Sequence, residues 1–301
     1  MTIVDAHSHL WLSQDTEVDG MPIYSMENGR SMFFGQEVQM LPPFMTDSRN
    51  TAEIFISNMD YAQVSAAVVV QEFIDGIQNV YLAEVKRKFP DRFKVCAMSD
   101  FRHEGFIPEA GKLISSGIYD GVAIPGHRLG SPLNSHEMME MFTQMEEKGL
   151  FLSLCLHEDC HQIPEVEDII SNFPHLRIAI GHFGMVTKPG WMKQIALARH
   201  GNVSIECGGI TWLFNSEFYP FNGAVKAIRK AADEVGMNKL MWGSDYPRTI
   251  TAITYRMSYD FILKSDLLSG EEKELFLGKN AAEFYNFKNL AELPYIKNMS
   301  E

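Results

Sequence analysis

The chain has 301 residues, of which 46% are hydrophobic and 22% are charged. Its 26 basic and 39 acidic residues give a formal net charge of −13 at pH 7. The high apolar content excludes an intrinsically disordered protein. The acidic balance argues against nucleic acid and anionic membranes as partners, because both require a basic protein surface.

The N-terminus has no basic segment followed by a long apolar run, so we expect neither a signal peptide nor a membrane span. The four cysteines are scattered along the chain and show neither disulfide-framework nor zinc-finger spacing. They are Cys96, Cys155, Cys160 and Cys207. Free thiols are typical of a reducing compartment, so the sequence predicts a cytoplasmic protein.

Eight short apolar segments recur along the chain, each rich in valine, isoleucine, leucine or phenylalanine. Segments of this length and composition are typical of β-strands buried on both faces. In chain order they are Ile3–His7, Ala66–Glu72, Phe93–Asp100, Tyr119–Pro125, Leu150–His157, Leu176–His182, Asn202–Gly208 and Lys239–Asp245.

The intervals between these segments show helical periodicity, and glycine or proline follows several of them, as at helix ends. The predicted helices are Ala52–Gln63, Gln78–Phe89, Ile107–Ser116, Ser135–Lys148, Glu165–Phe173, Trp191–Arg199 and Asn222–Val235. Ser269 and Glu272 have the spacing of a capping box, which predicts that a later helix begins there.

Eight alternating strand–helix units predict an α/β fold, a (β/α)₈ TIM barrel that forms a single domain over residues 1–301. The alternative is a doubly wound open sheet, which usually has a glycine-rich phosphate-binding turn after its first strand. Here the first predicted strand ends in His-Ser-His and no such turn follows, so we favour the barrel.

One interval, residues 13–50, shows little periodicity but is too apolar to be disordered. Long loops in compact domains are usually functional, and loops after barrel strands build the active site. We therefore expect residues 13–50 to form a loop over the barrel mouth, as a lid or a dimer contact. Residues 288–301 are expected to form a C-terminal tail.

Residues that can bind metals stand at the ends of four predicted strands. They are His7 and His9 on the first, His157 on the fifth, His182 on the sixth and Asp245 on the eighth. A single strand-end histidine is more often an ordinary core or loop residue, but five such residues together are unlike chance. Imidazole and carboxylate are the ligands of catalytic Zn²⁺ and Mn²⁺. We expect one divalent ion, zinc before manganese, with His182 left for proton transfer or for contact with a ligand.

Three motifs carry a resemblance to a known family. They are Val-Asp-Ala-His-Ser-His-Leu at 4–10, Ile-Gly-His-Phe-Gly at 180–184 and Trp-Gly-Ser-Asp-Tyr-Pro at 242–247. In this order they resemble the amidohydrolase superfamily, and within it the amidohydrolase-2 branch of lactonases and aminocarboxymuconate-semialdehyde-type decarboxylases. The resemblance covers nearly the whole chain and implies that His7, His9, His157 and Asp245 bind the metal. Binuclear members have a carboxylated lysine on strand four, which this sequence lacks, so one ion is implied.

The resemblance implies a metal-dependent hydrolase that acts on a small cyclic ester, with metal-activated water attacking the carbonyl group. Asp245 would be the general base, and His182 would stabilise the oxyanion. The alternative is a non-oxidative decarboxylase of a carboxylated aromatic or muconate-like substrate. Met185 stands where decarboxylases of the branch tend to have glutamate, which favours hydrolysis. A homodimer is implied on family grounds only.

Arginines, histidines and aromatic residues near the strand ends are candidates for binding a small, possibly anionic substrate. The predicted substrate-binding residues are Arg128, His127, Arg248, Trp11 and Tyr24. The arginines could bind a substrate carboxylate in a bidentate way, although loop arginines often pair with surface acids instead. The aromatic residues, with Trp212, could line an apolar wall. Glu206 is expected to face inward as a partner of a metal-binding histidine, because a carboxylate facing the helix layer would be costly.

Overall fold

The computed structural model describes residues 1–103 and 105–299. Its main sheet has eight parallel strands in the order of the chain, as the strand–helix alternation predicts. The strands are β1 (Val4–Ser8), β6 (Ala66–Val69), β7 (Phe93–Ala97), β8 (Gly121–Pro125), β9 (Phe151–Cys155), β10 (Arg177–Ile180), β11 (Val203–Glu206) and β12 (Leu240–Met241). All eight predicted strands are therefore confirmed.

Backbone hydrogen bonds between the last and first strands bring the ends of the sheet together. The Ala6 N–H donates to the Trp242 carbonyl at 2.9 Å, and the Asp245 N–H donates to the His7 carbonyl at 2.9 Å. The segment after β12 thus runs beside β1, which places Asp245 next to the His-Ser-His segment. The fold is a (β/α)₈ barrel.

Helices occupy the intervals between the barrel strands. They are α1 (Ala52–Tyr61), α2 (Asn79–Lys88), α3 (Ile107–Ser115), α4 (His136–Lys148), α5 (Ile163–Asn172), α6 (Trp191–Ala196), α7 (Ile210–Leu213), α8 (Asn222–Val235), α9 (Met257–Lys264), α10 (Gly270–Glu274) and α11 (Asn280–Phe284). The first seven predicted helices correspond to α1–α6 and α8. The Ser269–Glu272 capping box at the start of α10 is also confirmed.

The core has two apolar layers, one outside the barrel strands and one inside them. Large aliphatic residues such as Leu152 and Leu154 of β9 pack with the surrounding helices. The interior holds small residues such as Ala6 and Ala123 together with Phe151. Successive side chains of a strand point to opposite faces, which produces the two layers. Near the carboxyl ends of the strands, the inward-facing positions hold the polar residues of the barrel mouth.

Residues 13–50 do not form the irregular loop that we expected. They contain a four-stranded antiparallel sheet of β2 (Asp15–Val18), β3 (Met21–Ser25), β4 (Arg30–Phe33) and β5 (Gln36–Gln39). These strands are as short as those of the barrel, but they carry polar residues such as Glu17, Arg30 and Gln39 and are only partly buried, so they lack the continuous apolar runs of the barrel strands. Gln39 and Met40 line a second cavity with Trp212 and Arg248, so this insert borders the barrel mouth.

The C-terminal tail predicted for residues 288–301 contains no helix or strand over 288–299, and residues 300–301 lie outside the described part of the chain. Gln63 Nε2 donates to the Pro294 carbonyl at 2.9 Å, which holds this segment near α1. Among the helices of the described ranges, none is long and apolar enough to cross a bilayer.

Candidate metal and active site

A cavity of about 330 Å³ opens at the carboxyl ends of the barrel strands. Its lining includes His7, His9, His182 and Asp245 as well as His127, Arg128 and Arg248. Residues from β1, β8 and β9 and from the loops after β6, β10 and β12 meet there, although they are far apart in sequence. This is where (β/α)₈ enzymes place their catalytic groups.

Three ligand-type side chains converge at the base of the cavity, and all three are buried. The Nε2 atoms of His7 and His9 are 3.1 Å apart. Oδ1 of Asp245 lies 3.1 Å from the His9 Nε2 atom and 3.7 Å from the His7 Nε2 atom. The three atoms form a compact triangle whose corners are suited to coordinating one ion.

Both histidines are held from behind by buried carboxylates. Nδ1 of His7 lies 2.7 Å from Oε1 of Glu206, and Nδ1 of His9 lies 2.9 Å from Oδ2 of Asp75. A carboxylate that accepts the proton of Nδ1 leaves the lone pair on Nε2, the arrangement found behind metal-binding histidines. The structure thus places Glu206 where an inward-facing carboxylate was predicted.

Two glycines make the close approach of His7 and Glu206 possible. A Cβ atom added at Gly208 would lie 2.7 Å from Cγ of His7 and 2.9 Å from Oε2 of Glu206. A Cβ atom at Gly243 would lie 2.8 Å from Cβ of His7. Real Cβ atoms do not approach other heavy atoms so closely, so both positions require glycine.

The donor set fits a divalent cation. A metal with ligands at about 2.0–2.2 Å holds neighbouring ligand atoms roughly 3–3.6 Å apart, close to the distances of this triangle. Two imidazole lone pairs and a carboxylate oxygen facing one another would repel unless positive charge lies between them. In the described part of the chain, Oδ1 of Asp245 is buried and has no hydrogen-bond partner. His7, His9 and Asp245 are therefore suited to hold a metal ion.

The pKa values of His9 and Asp245 are shifted by the charges around them. Burial lowers the pKa of His9, but Asp75 and Asp245 outweigh it and raise the value to about 9. Burial raises the pKa of Asp245, but His9 and Arg248 outweigh it and hold the value well below the ordinary range. Without a metal ion, the His9 ring therefore holds a second proton beside the ionised Asp245, and a bound cation would replace that proton.

His182 adjoins this triangle as a neutral base. Its ring centroid lies 4.7 Å from that of His7, and burial, followed by the proximity of His7, lowers its pKa. Nδ1 of His182 lies 2.9 Å from the Gly208 carbonyl oxygen, which can only accept, so Nδ1 carries the proton. Nε2 is then an acceptor. This revises the expected role of His182 as a donor to an oxyanion, because the neutral ring has no second N–H to donate.

Trp212 orients the carboxylate of Asp245. The Trp212 indole N–H donates to Oδ2 of Asp245 at 2.8 Å, while Oδ1 faces the histidines. The backbone of Asp245 is left-handed, with φ of 57°, a conformation that costs energy for a residue with a side chain. Trp212 also lines the cavity, as predicted for an aromatic wall residue.

The structure does not bring His157 to the triangle. Strand β9 ends at Cys155, and His157 lies beyond it at the cavity rim, with its side chain 41% exposed. Its Nδ1 lies 3.0 Å from Oδ1 of Asp159, and His161 joins the same rim cluster. Strand alternation correctly placed His157 on the cavity side, but the strand is too short to carry it inward.

Two predicted substrate-binding aromatic residues lie away from the cavity. Trp11 is fully buried, packs with Leu41 and Met45, and donates its indole N–H to the Ser48 carbonyl at 3.3 Å. Tyr24 lies on β3 of the insert and is 42% exposed. The backbone of Trp11 pairs with Asn50, and Tyr24 belongs to the insert sheet, so the structure places both side chains outside the lining of the cavity.

The three predicted cationic residues do line the cavity, but each contacts a carboxylate of the chain. Nε of Arg128 donates to Oε1 of Glu72 at 2.9 Å, and Nε2 of His127 lies 3.3 Å from Oε2 of the same residue. Arg248 donates to Oδ1 of Asp75 at 2.7 Å. The alternative to substrate binding, pairing with acids of the protein, is thus observed, although these acids belong to the cavity and its support rather than to the surface.

The Glu72 pairing predicts an acid-dependent loss of stability. Burial raises the pKa of Glu72, but His127, Arg128 and Arg248 outweigh it and lower the value from 4.5 to about 2. Its pairing therefore stabilises the fold above pH 4.5 and is lost as the pH falls towards 2. Between pH 5.5 and 3.5 we expect the wild type to lose about 1 kcal/mol more unfolding free energy than Glu72→Gln. Urea unfolding at both pH values measures this difference, and equal losses would contradict the assignment.

The sequence analysis did not identify two acidic residues of the site. Asp75 ends a 3₁₀ turn, Phe73–Asp75, after β6, and Asp5 lies two residues before His7 on β1. Asp5 accepts from the Ser244 N–H at 2.8 Å and from the Tyr255 hydroxyl at 2.7 Å, which ties β1 to the segment carrying Asp245. Asp5 could have been predicted, because strand alternation puts it on the same face of β1 as His7 and His9. Asp75 could not, because its only distinguishing feature in the sequence is that it is an acid in a loop after a barrel strand.

The barrel and the residues at its mouth define the class of protein, a (β/α)₈ enzyme with its active site at the strand ends. The Amidohydrolase family profile matches residues 4–287. The chain therefore belongs to the Amidohydrolase family, and it is an enzyme of that family. A comparison with curated proteins finds no match.

Solved structures share the fold. A probable 2-pyrone-4,6-dicarboxylic acid hydrolase from Acinetobacter baumannii, with citric acid bound, is 21% identical with a TM-score of 0.71, over 95% of this chain and 100% of that one. A zinc-bound amidohydrolase from Burkholderia multivorans is 15% identical with a TM-score of 0.71, over 95% and 99%. A manganese-bound 5-carboxyvanillate decarboxylase from Novosphingobium aromaticivorans is 18% identical with a TM-score of 0.59, over 78% and 80%.

Proposed function

We propose that this protein is a metal-dependent hydrolase that opens a small cyclic ester. The observation that carries the proposal is the triangle of His7 Nε2, His9 Nε2 and Asp245 Oδ1 at the base of a cavity large enough for a small molecule. The triangle leaves room on the cavity side, as a catalytic metal site requires. The sequence predictions of a cytoplasmic location and a homodimer remain part of this proposal.

His7, His9 and Asp245 would hold one divalent ion, with zinc as the first expectation and manganese as the second. Such an ion, when bound, acts as a Lewis acid and lowers the pKa of water. Glu206 can accept the Nδ1 proton of His7, and the Asp75 carboxylate lies 2.9 Å from Nδ1 of His9, so both carboxylates favour protons on Nδ1 and leave both Nε2 atoms to the ion. Relatives of this fold with zinc or manganese bound support the choice of ions.

Two residues of the chain would move protons in the reaction. Asp245 is ionised and lies at the cavity floor, where it can accept a proton from the attacking water and pass it to the leaving oxygen. His182 offers Nε2 as a second acceptor in the same wall. Arg128, His127 and Arg248 line the same cavity, where the N–H groups that Glu72 and Asp75 leave open would orient the ester oxygen atoms of the substrate.

Hydrolysis is favoured over decarboxylation by the residue after the Gly-His-Phe-Gly segment. Met185 lines the cavity at this point, so the wall there is apolar and carries no acid. The lactone-hydrolase relative also matches more of this chain than the decarboxylase does. Decarboxylation remains the alternative, because relatives with that activity share the barrel.

One paired assay tests the proposal. Purified enzyme loaded with Zn²⁺ or Mn²⁺ would be offered a panel of five- and six-membered lactones and a panel of hydroxybenzoates. Acid release in a pH-stat with a lactone, and no CO₂ release with any acid, is the expected result. Release of CO₂ from a hydroxybenzoate without acid release from any lactone would replace hydrolysis by decarboxylation as the function.

A further inference from the structure

The carboxylate of Glu72 already occupies the cationic corner of the cavity. One oxygen accepts from Nε of Arg128 at 2.9 Å, and the other lies 3.3 Å from Nε2 of His127. Oε1 also accepts from the backbone N–H of the next residue, Phe73, at 2.7 Å, and this bond helps to fix the side chain. Glu72 is 13% exposed and lines the cavity beside Arg128 and His127, which it contacts.

The second arginine of the cavity is also engaged by acids of the chain. Arg248 donates to Asp75 at 2.7 Å, and its Nη1 lies 3.6 Å from Oδ1 of Asp245. Asp75 in turn contacts His9, so this arginine belongs to the support of the metal triangle. Releasing Arg248 to bind a substrate carboxylate would leave the buried Asp75 with less compensation.

The charges around the inner cavity therefore give no surplus of positive charge. Within the described ranges, four carboxylates and two guanidinium groups line the inner cavity or contact the ring nitrogens of His7 and His9. These are Glu72, Asp75, Glu206, Asp245, Arg128 and Arg248. One divalent ion would balance the two excess negative charges, and one substrate carboxylate could bind to that ion. A second carboxylate would meet no free cation.

The outer rim does not change this balance. Glu158 lines the cavity there and pairs with Lys188 at 2.9 Å. Both side chains are nearly half exposed, at 46% and 44%, so the pair is close to neutral and is screened by solvent. Glu158 is therefore a useful comparison for Glu72, since it has the same charge at the same cavity without a contact to Arg128.

We propose that Glu72 determines specificity: its carboxylate fills the position on Arg128 and His127 that a second substrate carboxylate would take. The cavity would thus accept neutral or singly charged cyclic esters and reject dicarboxylates. As a statement about substrates this rests on the proposed hydrolase function. As a statement about binding it can be tested without turnover.

Three rigid probes of similar shape and different charge provide the binding test. Benzamide, benzoate and isophthalate would be titrated calorimetrically into the metal-loaded protein. For the wild type we expect isophthalate to bind at least about tenfold more weakly than benzoate, because its second carboxylate meets Glu72. For Glu72→Gln we expect isophthalate to bind at least about tenfold more tightly than to the wild type, with benzamide changed less than about threefold.

Glu158→Gln serves as the matched control, because it removes the same charge from the cavity rim. We expect it to change isophthalate affinity by less than about threefold, since the rim charge is screened. An equal gain in both variants would assign the effect to net charge and overturn the role of Glu72. Wild-type affinity for isophthalate equal to or above that for benzoate would overturn it even if neither variant folds, and so would a folded Glu72→Gln protein without any gain.

Failure of the inference can be distinguished from failure of the proposed function. If no lactone is hydrolysed but the probe affinities shift as expected, the hydrolase proposal fails and the charge selectivity stands. If neutral lactones and a dicarboxylated lactone such as 2-pyrone-4,6-dicarboxylate are hydrolysed with similar kcat/KM, the hydrolase proposal stands and the role of Glu72 fails.

Discussion

Replacing Asp245 by asparagine is expected to lower kcat by about 10²–10⁴-fold, the usual cost of losing a general base. The amide cannot take a proton from water, and it also disturbs the metal triangle. Trp212 donates to Oδ2 of the native carboxylate, so the oxygen of the introduced amide would turn towards Trp212 and its NH₂ group towards the histidines. An NH₂ group there cannot bind a metal ion.

The measurement is steady-state hydrolysis of the best lactone substrate, with circular dichroism to show that the variant is folded. Trp212→Phe is the matched control, because it removes the indole donor and keeps the carboxylate. We expect it to lower kcat by less than about tenfold, the scale of a single orienting hydrogen bond. A folded Asp245→Asn enzyme that keeps more than about a tenth of the wild-type kcat would exclude Asp245 as the base.

Substituting His9 by alanine is expected to abolish stoichiometric metal binding. His9 supplies one corner of the triangle, and two remaining ligands do not satisfy a zinc site, which needs three or four protein ligands. We expect metal content measured by mass spectrometry to fall from about one ion per chain to below about 0.1. Hydrolysis should fall with it and should not return when zinc or manganese is added.

His157→Ala is the comparison that tests the ligand set. His157 lies at the rim with Asp159 and His161, so we expect this variant to keep its metal. Loss of metal from His157→Ala would show that the loop after β9 moves inward and that His157 is a fourth ligand, as the sequence alone had indicated. Retention of metal by His9→Ala would contradict the triangle itself.

The acidic character of the protein takes on a specific meaning at the active site. The net charge of −13 argues against polyanionic partners, and the cavity continues this charge inward with Glu72, Asp75, Glu206 and Asp245. A divalent ion would neutralise the excess negative charge of this wall. A substrate with two or more negative charges would be repelled by it, so we expect the cavity to differ from one that binds dicarboxylates.

Much of the fold follows from local sequence patterns. The apolar runs of β1 and β6–β12 are long and uniform enough to be recognised as buried strands, and glycine or proline marks many of the helix ends. The insert sheet was missed because its strands mix polar with apolar residues and are only partly buried. Antiparallel pairing depends on contacts between strands, which local periodicity does not report.

The sequence by itself determined the barrel, the polar ends of its strands, and three of the residues that meet there: His7, His9 and Asp245. Strand alternation is a local property, so it can be read directly. Only the tertiary structure decided how far each strand reaches, which left His157 at the rim, and which carboxylates stand behind the cations. Asp75 and Glu72 acquired their roles through partners distant in sequence, because pairing between buried charges is set by packing rather than by pattern.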